Sequence, residues 1–351
     1  ISEEESFMQT PVPTQSRKNP LRRFFSIRGM TSAIIAFVAL ILIYIAFGVG
    51  NPRIFSGANI QNLLRSMSKY LIIGIGQSYL LITGNIDLSI GSVVGMSAMI
   101  SATLMTMGVN PVLAALITLV CCMVIGLING VLVGQVKLPP FIATLGTMFV
   151  ARGVAYMVNG NRNTNAIASG IGSEAGNHFQ NFFYYGKTLG VYNTFWVALI
   201  VFIAFFFLLS KTRTGRHIYA IGSNADAAKL SGVSVFMTTT KAYLVSAFCS
   251  FVVGLILCAQ AGMGNMEAGN TYEMYAVAAG VIGGISPMGG TGLLLGTFAG
   301  AAVWQTLENG LSMAGAQVGL QRIVIGVIVV SSVLLDVLVR NGGLSRKHMQ
   351  K

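Results

Sequence analysis

Long uncharged apolar runs constrain this chain more than any other feature. Thr31–Gly50 and Pro111–Gly134 contain no charged side chain at all. Each is long enough to cross a hydrocarbon core as a helix, which takes roughly 20 residues. A soluble protein carries charge on about a quarter of its residues, whereas here the share is 9%, against 54% hydrophobic. That leaves too little charge to cover a water-facing surface, so lipid must be the solvent for much of the chain. In lipid only helices and closed barrels satisfy their backbone polar groups. A barrel alternates apolar and polar residues over short segments. These runs are continuous, so the expected fold is an all-α integral membrane protein.

The patterning predicts about ten transmembrane helices. The first five are Thr31–Gly50, Tyr70–Thr83, Leu88–Met107, Pro111–Gly134 and Phe141–Val158. The second five are Asn193–Ser210, Thr239–Gly262, Tyr275–Ile285, Gly292–Leu311 and Ile323–Val339. The second and eighth are short for a bilayer, so they tilt, break, or extend into their flanks. Phe55–Lys69 is available as an extension of the second. Residues 1–30 read as a polar, basic tail, 31–339 as one transmembrane domain, and 340–351 as a second basic tail. The first apolar run lacks a small-residue cleavage site and reads as a membrane anchor. With the N-terminus inside, fifteen of the 22 Lys and Arg fall in inside segments. The positive-inside bias therefore predicts cytoplasmic termini, an outer loop at 159–192 and an inner loop at 211–238.

Several functions are disfavoured by what the sequence lacks. The net charge of +12 is explained by these topogenic clusters, so no nucleic-acid partner is expected. Cys121, Cys122, Cys249 and Cys258 sit in apolar runs without metal-ligand spacing and read as small buried hydrophobes. His178, His217 and His348 are scattered and suggest no metal site. There is no GxxxxGK[ST] phosphate loop and no nucleophile–base–acid grouping. No catalytic, cofactor or metal residues are expected, and the chain does not read as an enzyme.

Three features invite a functional reading. First, the inner loop contains a short Ala-rich helix, Ala227, Ala228 and Leu230, with Ser223, Asn224 or Asp226 as its cap and Gly232 as its stop. Such a helix is either an amphipathic connector or an element that docks into a groove on a partner. Second, a few polar residues sit at membrane depth. Asp87 reads as a cap for the third helix or as part of a polar path. Trp304, Gln305, Glu308 and Asn309 face such a path or the outer interface. Asp336 and Arg340, four apart, read as an interfacial pair. Third, Gly91/Gly95, Gly126/Gly130/Gly134 and Gly292/Gly296/Gly300 recur at four, which places small faces for close helix packing. Gly283–Gly292, with Pro287, suggests non-helical backbone at a membrane boundary.

Five stretches carry a family resemblance, in order along the chain: Gly84–Ser92 (GNIDLSIGS), Phe141–Met148 (FIATLGTM), Gly222–Gly232 (GSNADAAKLSG), Tyr272–Ala279 (YEMYAVAA) and Gly283–Gly292 (GGISPMGGTG). Together they resemble permease subunits of bacterial ATP-binding-cassette sugar importers of the ribose, galactose, xylose and arabinose branch. The likeness spans roughly Leu40 to Val339. It departs at Asn85, where a second glycine is usual, at Tyr275, where Asp is usual, and at Ile285, where Thr or Val is usual.

The resemblance implies a permease of the bacterial cytoplasmic (inner) membrane that pairs with a second permease copy or with a related permease. It implies a cytoplasmic ATPase with two fused modules, which would bind the ATP and Mg, and an extracytoplasmic sugar-binding protein. The chain itself would bind no cofactor and would carry a neutral monosaccharide, held by amides, hydroxyls and aromatic faces. Gly222, Asn224, Ala227, Ala228, Leu230, Ser231 and Gly232 become the ATPase-coupling segment. Asn85, Asp87, Phe141, Thr144, Trp304, Gln305 and Asn309 become the candidates for the translocation path or gate. An ion-coupled secondary transporter, with Arg152 as its mid-span charge, a simple channel and a membrane scaffold are the rival readings. Neither the ion-coupled transporter nor the channel accounts for the Ala227–Gly232 helix.

Overall fold

The computed structural model describes residues 29–324, 326–328, 330, 331 and 334. The basic N-terminal cluster, Asp336, Arg340 and the last tail lie outside the described residues. The described residues are mostly helical, with one short antiparallel hairpin as their strand pair, as expected of an all-α membrane protein.

The helices are α1 (Met30–Gly50), α2 (Gly57–Ile82), α3 (Ile90–Thr106), α4 (Pro111–Gly134) and α5 (Pro140–Met157). A connecting region follows, with α6 (Ala168–Ile171), α7 (Ser173–Gln180), a π turn (Asn181–Tyr185) and the hairpin β1 (Lys187–Thr188) and β2 (Val191–Tyr192). Then come α8 (Asn193–Lys211), α9 (Arg213–Ser223), α10 (Ala225–Leu230), α11 (Val235–Ala261), α12 (Tyr272–Ile282) and α13 (Leu294–Met313). A last apolar helix, α14, occupies Val318–Ile328. By length and composition α1, α4, α5, α8 and α11 could each cross a membrane, while α3, α12 and α14 are apolar but shorter.

Local chemistry sets the boundaries. Pro111 and Pro140 open α4 and α5, where a missing N–H costs nothing. Asn110, Ser56 and Ser234 cap α4, α2 and α11 through side-chain acceptors. Gly84 and Gly262 follow the ends of α2 and α11 with positive φ.

Burial divides the bundle into a core and a shell. From Tyr70 to Ile82 every residue of α2 is buried, and so is most of α3 and α11. By contrast α1, α4, α5 and α8 turn large apolar side chains outward, among them Ile35, Leu42, Val120, Phe149 and Ile200. In water that surface would be unstable; in lipid it is the solvated face.

The second span needs correcting. It is not a short Tyr70–Thr83 segment, because α2 runs for 26 residues and includes the Gly57–Lys69 flank. Asn59, Gln61, Asn62, Arg65 and Lys69 hide that half from a hydropathy reading. Their partners are distant in sequence: Arg65, for one, lies over the rings of Tyr192 and Tyr184, at 4.1 and 4.7 Å from their centroids. The eighth span is short, as expected. It is α12, of 11 residues, about 16 Å long at 1.5 Å per residue, and it begins at Tyr272 rather than Tyr275.

The chain reaches α12 by turning back into the bundle. At the upper end of α11 the 160s segment clasps the return: Thr164 N–H donates to the Gly264 carbonyl at 3.0 Å, and Ile167 N–H to Gly262 at 2.9 Å. Gly269 then packs on the backbone of Gly91 and on Val94, in the first turns of α3. So α3 and α12 meet N-terminus to N-terminus within the bundle. Their lengths, about 25 and 16 Å, together match α11.

Candidate coupling surface and translocation path

The inner-loop sequence folds into two helices. In α9, Thr212 caps the N-terminus and Ile218 and Ile221 are buried. Asn224 ends α9 and caps α10, its Oδ1 accepting from Ala227 N–H at 2.9 Å. Ser231 Oγ returns to the Ala227 carbonyl at 2.9 Å, and Gly232 takes positive φ to stop the helix. Of the three expected caps, Asn224 is therefore the one used. Ala228 faces inward, while Leu230 is 90% exposed and Asp226 and Lys229 are exposed beside it.

Behind this helix lies a glycine joint. A Cβ on Gly222 would strike the Ile82 carbonyl and Gly290 N. Gly290 N–H donates to that same Ile82 carbonyl at 2.8 Å. Gly289 packs closely on the backbone of Gly222 and of Gly84. The Tyr219 hydroxyl donates to the Gly292 carbonyl at 2.7 Å, and burial pushes it up to about 12, so it stays a donor. The α9–α10 unit, the lower end of α2 and the non-helical Gly283–Leu293 segment thus touch backbone to backbone.

From Gly84 the chain leads to Asp87, which is buried and fully engaged. Its Oδ1 accepts from Ser89 N–H at 2.8 Å and Ser89 Oγ at 2.6 Å, and its Oδ2 accepts from Ser246 Oγ at 2.7 Å. Asn129 Nδ2 donates to Ser89 Oγ at 3.0 Å, and Thr147 Oγ1 to Asn129 Oδ1 at 2.7 Å. The network ties the α2–α3 connection to α4, α5 and α11. Asp87 does not cap α3 directly, because the N-cap is Ser89 and Asp87 folds the turn just before it. Opposite Asp87's turn, the Glu273 carboxylate lies against Gly91.

The expected path residues fall in three places. Asn85 bonds Thr83 Oγ1 at 2.8 Å beside Asp87. Phe141 is exposed near the start of α5, and Thr144 is buried one turn on, donating to the Pro140 carbonyl at 2.8 Å. Trp304 and Gln305 are buried on α13, and Asn309 exchanges amide hydrogen bonds of 3.1 Å with Asn59. The sequence reading missed what surrounds this last group. Tyr70, Tyr272, Tyr275 and Trp304 form one aromatic cluster, with centroid separations from 5.0 to 6.3 Å. Tyr70 hydroxyl donates to Glu308 at 3.0 Å.

Two cavities adjoin the cluster. One of about 470 Å³ lies between α12, α13 and α14; another of about 390 Å³ is lined by Lys69, Gln260, Asn265, Glu267, Asn270 and Tyr272. Arg152, the mid-span cation, donates to the Met266 and Ala268 carbonyls at 2.9 Å each. It pins the returning loop. Among the described residues no group of His, Cys, Asp and Glu could hold a metal ion.

A protein-family profile described as "Branched-chain amino acid transport system / permease component" matches residues 59–333. The chain belongs to this permease family. Its relatives include the ribose import permease protein RbsC of Bacillus subtilis (strain 168), 36% identical over 309 residues, 88% of this chain and 94% of the relative. The D-allose transport system permease protein AlsC of Escherichia coli (strain K12) is 33% identical over 305 residues, 86% and 91% of the two chains. The galactose/methyl galactoside import permease protein MglC of Salmonella typhimurium (strain LT2) is 34% identical over 313 residues, 86% and 92%. No solved structure matches the chain. As a family member it is a multi-pass permease of the bacterial inner membrane, a transport subunit rather than an enzyme.

The structure also brings out a repetition that periodicity alone did not reveal. Gly84-Asn85-Ile86-Asp87 follows long helix α2, and Gly264-Asn265-Met266-Glu267 follows long helix α11. Each motif leads into a helix that starts within the bundle. The long helices are reciprocal too: α2 packs on α12 and α13, and α11 on α3 and α4.

Proposed function

We propose that this permease is one membrane half of an ATP-driven importer for a neutral monosaccharide. The relatives' substrates, ribose, allose and galactose, support a sugar over the amino acids of the family's description. In this reading both termini and α9–α10 are cytoplasmic, and ten spans cross the bilayer, with α12 as a half-length member. Two copies pair around the path. A cytoplasmic ATPase with two fused modules binds ATP and Mg and receives α10. An extracytoplasmic sugar-binding protein docks near residues 159–192.

One observation carries the reading: an exposed six-residue helix, capped and stopped by its own sequence, stands on a backbone-to-backbone joint with α2 and the Gly283–Leu293 segment. A passive connector has no need of such a joint. When the ATPase modules close, a push on α10 reaches the Gly84–Asp87 turn and the base of α13 with little give. Arg152, the mid-span charge named for the ion-coupled alternative, is spent on two loop carbonyls.

The test is uptake by proteoliposomes holding this chain, the ATPase and binding protein encoded with it, and D-ribose, D-allose or D-galactose in turn. ATP-dependent accumulation of one of these that survives an ionophore is the expected result. Accumulation that persists without the ATPase and collapses with the ionophore would overturn the proposal.

A further inference from the structure

Three cations converge at the foot of α8. Along its outward face Ile200, Ile203 and Phe207 are 67%, 57% and 62% exposed, and Ala204 and Lys211 are exposed with them. At 3.6 residues per turn these positions fall within one arc of about 100°, so Lys211 terminates an apolar strip that faces lipid. Trp196 stands at the other end of the same strip, its indole donating to the Thr188 carbonyl at 3.0 Å. Tryptophan and lysine at opposite ends anchor a spanning helix at the two membrane surfaces. The lysine stem carries its ammonium out among the headgroups.

The start of α9 adds two cations at the same corner. One residue, Thr212, separates the two helices. Its hydroxyl donates to the Leu208 carbonyl at 2.6 Å and accepts from Gly215 N–H at 3.4 Å. Gly215 lies so close to the Leu209 carbonyl that a Cβ would not fit there. The corner is therefore tight. On α9, Ile218 and Ile221 are buried, while Arg213 and Arg216, three apart, are exposed on the opposite side. Among the described residues none of the three cations is ion-paired. The one acid between Asn193 and Ala261 is Asp226, on α10.

Fixing the direction of insertion requires positive charge on one side of the membrane. It does not require three cations drawn into one corner beneath a lipid-facing strip. Clustered Lys and Arg at a membrane boundary attract anionic headgroups, and the strip above them suits an acyl chain. A headgroup of net negative charge meets donors here and no repulsion. A choline or ethanolamine headgroup would bring its own ammonium beside three cations, with no carboxylate paired among them to receive it.

We propose that Lys211, Arg213 and Arg216 form a headgroup site for an anionic glycerophospholipid of the adjoining leaflet, its acyl chain lying along Ile203 and Phe207. The site depends neither on which sugar is carried nor on how transport is driven. A lipid held there ties the base of the α9–α10 unit to the membrane surface.

The full-length permease, purified in detergent, is equilibrated with equal amounts of phosphatidylglycerol and phosphatidylcholine of matched chains, and retained lipid is counted by native mass spectrometry. Each Lys or Arg near an anionic surface is worth about 1 kcal/mol, or about fivefold. Three engaged cations would give a preference for phosphatidylglycerol on the order of a hundredfold, and about fivefold is the least the proposal allows. Replacing Lys211, Arg213 and Arg216 together by Gln should bring the preference to within about twofold. Lys229→Gln with Lys241→Gln, which removes two other exposed cations nearby in sequence, should leave it unchanged. So should the charge-keeping set Lys211→Arg, Arg213→Lys and Arg216→Lys. Where the triple Gln variant inserts poorly, Arg213→Gln and Arg216→Gln are measured singly, each with an expected loss of about fivefold.

A parent preference below about fivefold overturns the site. So does a preference that survives the triple Gln variant, or one that the Lys229 and Lys241 changes remove equally, because diffuse positive charge would then suffice. A triple variant that keeps its phosphatidylglycerol but loses ATPase docking in phosphatidylcholine nanodiscs would assign the patch to the ATPase instead.

Discussion

Leu230 gives the sharpest test of docking. It ends α10, is 90% exposed, and is followed by a Ser231–Gly232 stop that keeps the helix from growing. Leu230→Ala removes three carbons that the permease itself scarcely covers, so its own stability should change by no more than about 0.5 kcal/mol. If the ATPase covers those carbons, at about 0.8 kcal/mol per buried methylene, docking weakens by roughly 2 kcal/mol. That is about thirtyfold in affinity. The assay titrates the permease in nanodiscs with its proposed ATPase partner, reads bound fraction and stimulated hydrolysis, and follows thermal unfolding of the permease alone. Leu189→Ala is the control, because Leu189 is 87% exposed on the hairpin at the opposite end. The reasoning would be refuted by L230A binding within twofold of the parent, or by L189A weakening it equally.

Three further substitutions probe the interior. Asp87→Ala strands the Ser89 N–H and the Ser246 hydroxyl, and at about 1–3 kcal/mol for each unmet donor a stability loss of about 3 kcal/mol is expected in detergent-induced unfolding; a loss under 1 kcal/mol would show that the network adds little. Arg152→Ala frees the Met266 and Ala268 carbonyls, so amide exchange across 263–271 should rise at least about tenfold, given about 1.5–3 kcal/mol per hydrogen bond to a charged donor. Unchanged exchange there would mean the 160s clasp alone holds the loop. Gly222→Val places a side chain where the Ile82 carbonyl sits, and should abolish ATP-driven uptake while leaving membrane insertion and ATPase docking intact. Normal uptake by this variant would remove the joint from the coupling route.

The sequence made some of this legible and hid the rest for physical reasons. The Asn224–Gly232 helix was readable because caps and stops are local: Asn224 and Gly232 act within a few residues of themselves. The apolar shell was readable because lipid demands unbroken runs. The apolar half of α2 was readable as a span and its polar half only as an extension of it, since Asn59, Arg65 and Lys69 find partners on α13, on Tyr184 and Tyr192, and on Gln260, all distant in sequence. Asp87 was found as a deep acid, but its partners Ser246, Asn129 and Thr147 are ordinary residues whose meaning comes only from proximity. The tyrosine cluster was likewise invisible, because Tyr70 and Tyr275 lie on different helices and look like lipid-interface anchors in isolation.

The close glycine contacts also bear on how force travels. A joint built from side chains can absorb a displacement by changing rotamers, and little motion then reaches the far side. At Gly222, Gly289 and Gly290 there is backbone against backbone, and backbone has no rotamer to yield. The Gly290–Ile82 hydrogen bond adds a directional tie at the same point. Beyond it, flexibility returns at Gly84, whose positive φ marks the turn into Asp87, and at Gly283–Leu293, which has no helix to stiffen it. A stiff joint between two yielding segments turns a push on α10 into rotation of the segments rather than compression of the helices. Those two segments lead to α3 and α13. Of these, α3 meets α12 inside the bundle and α13 carries Trp304 and Glu308, so in the proposed coupling a motion of α10 reaches the aromatic cluster from both sides.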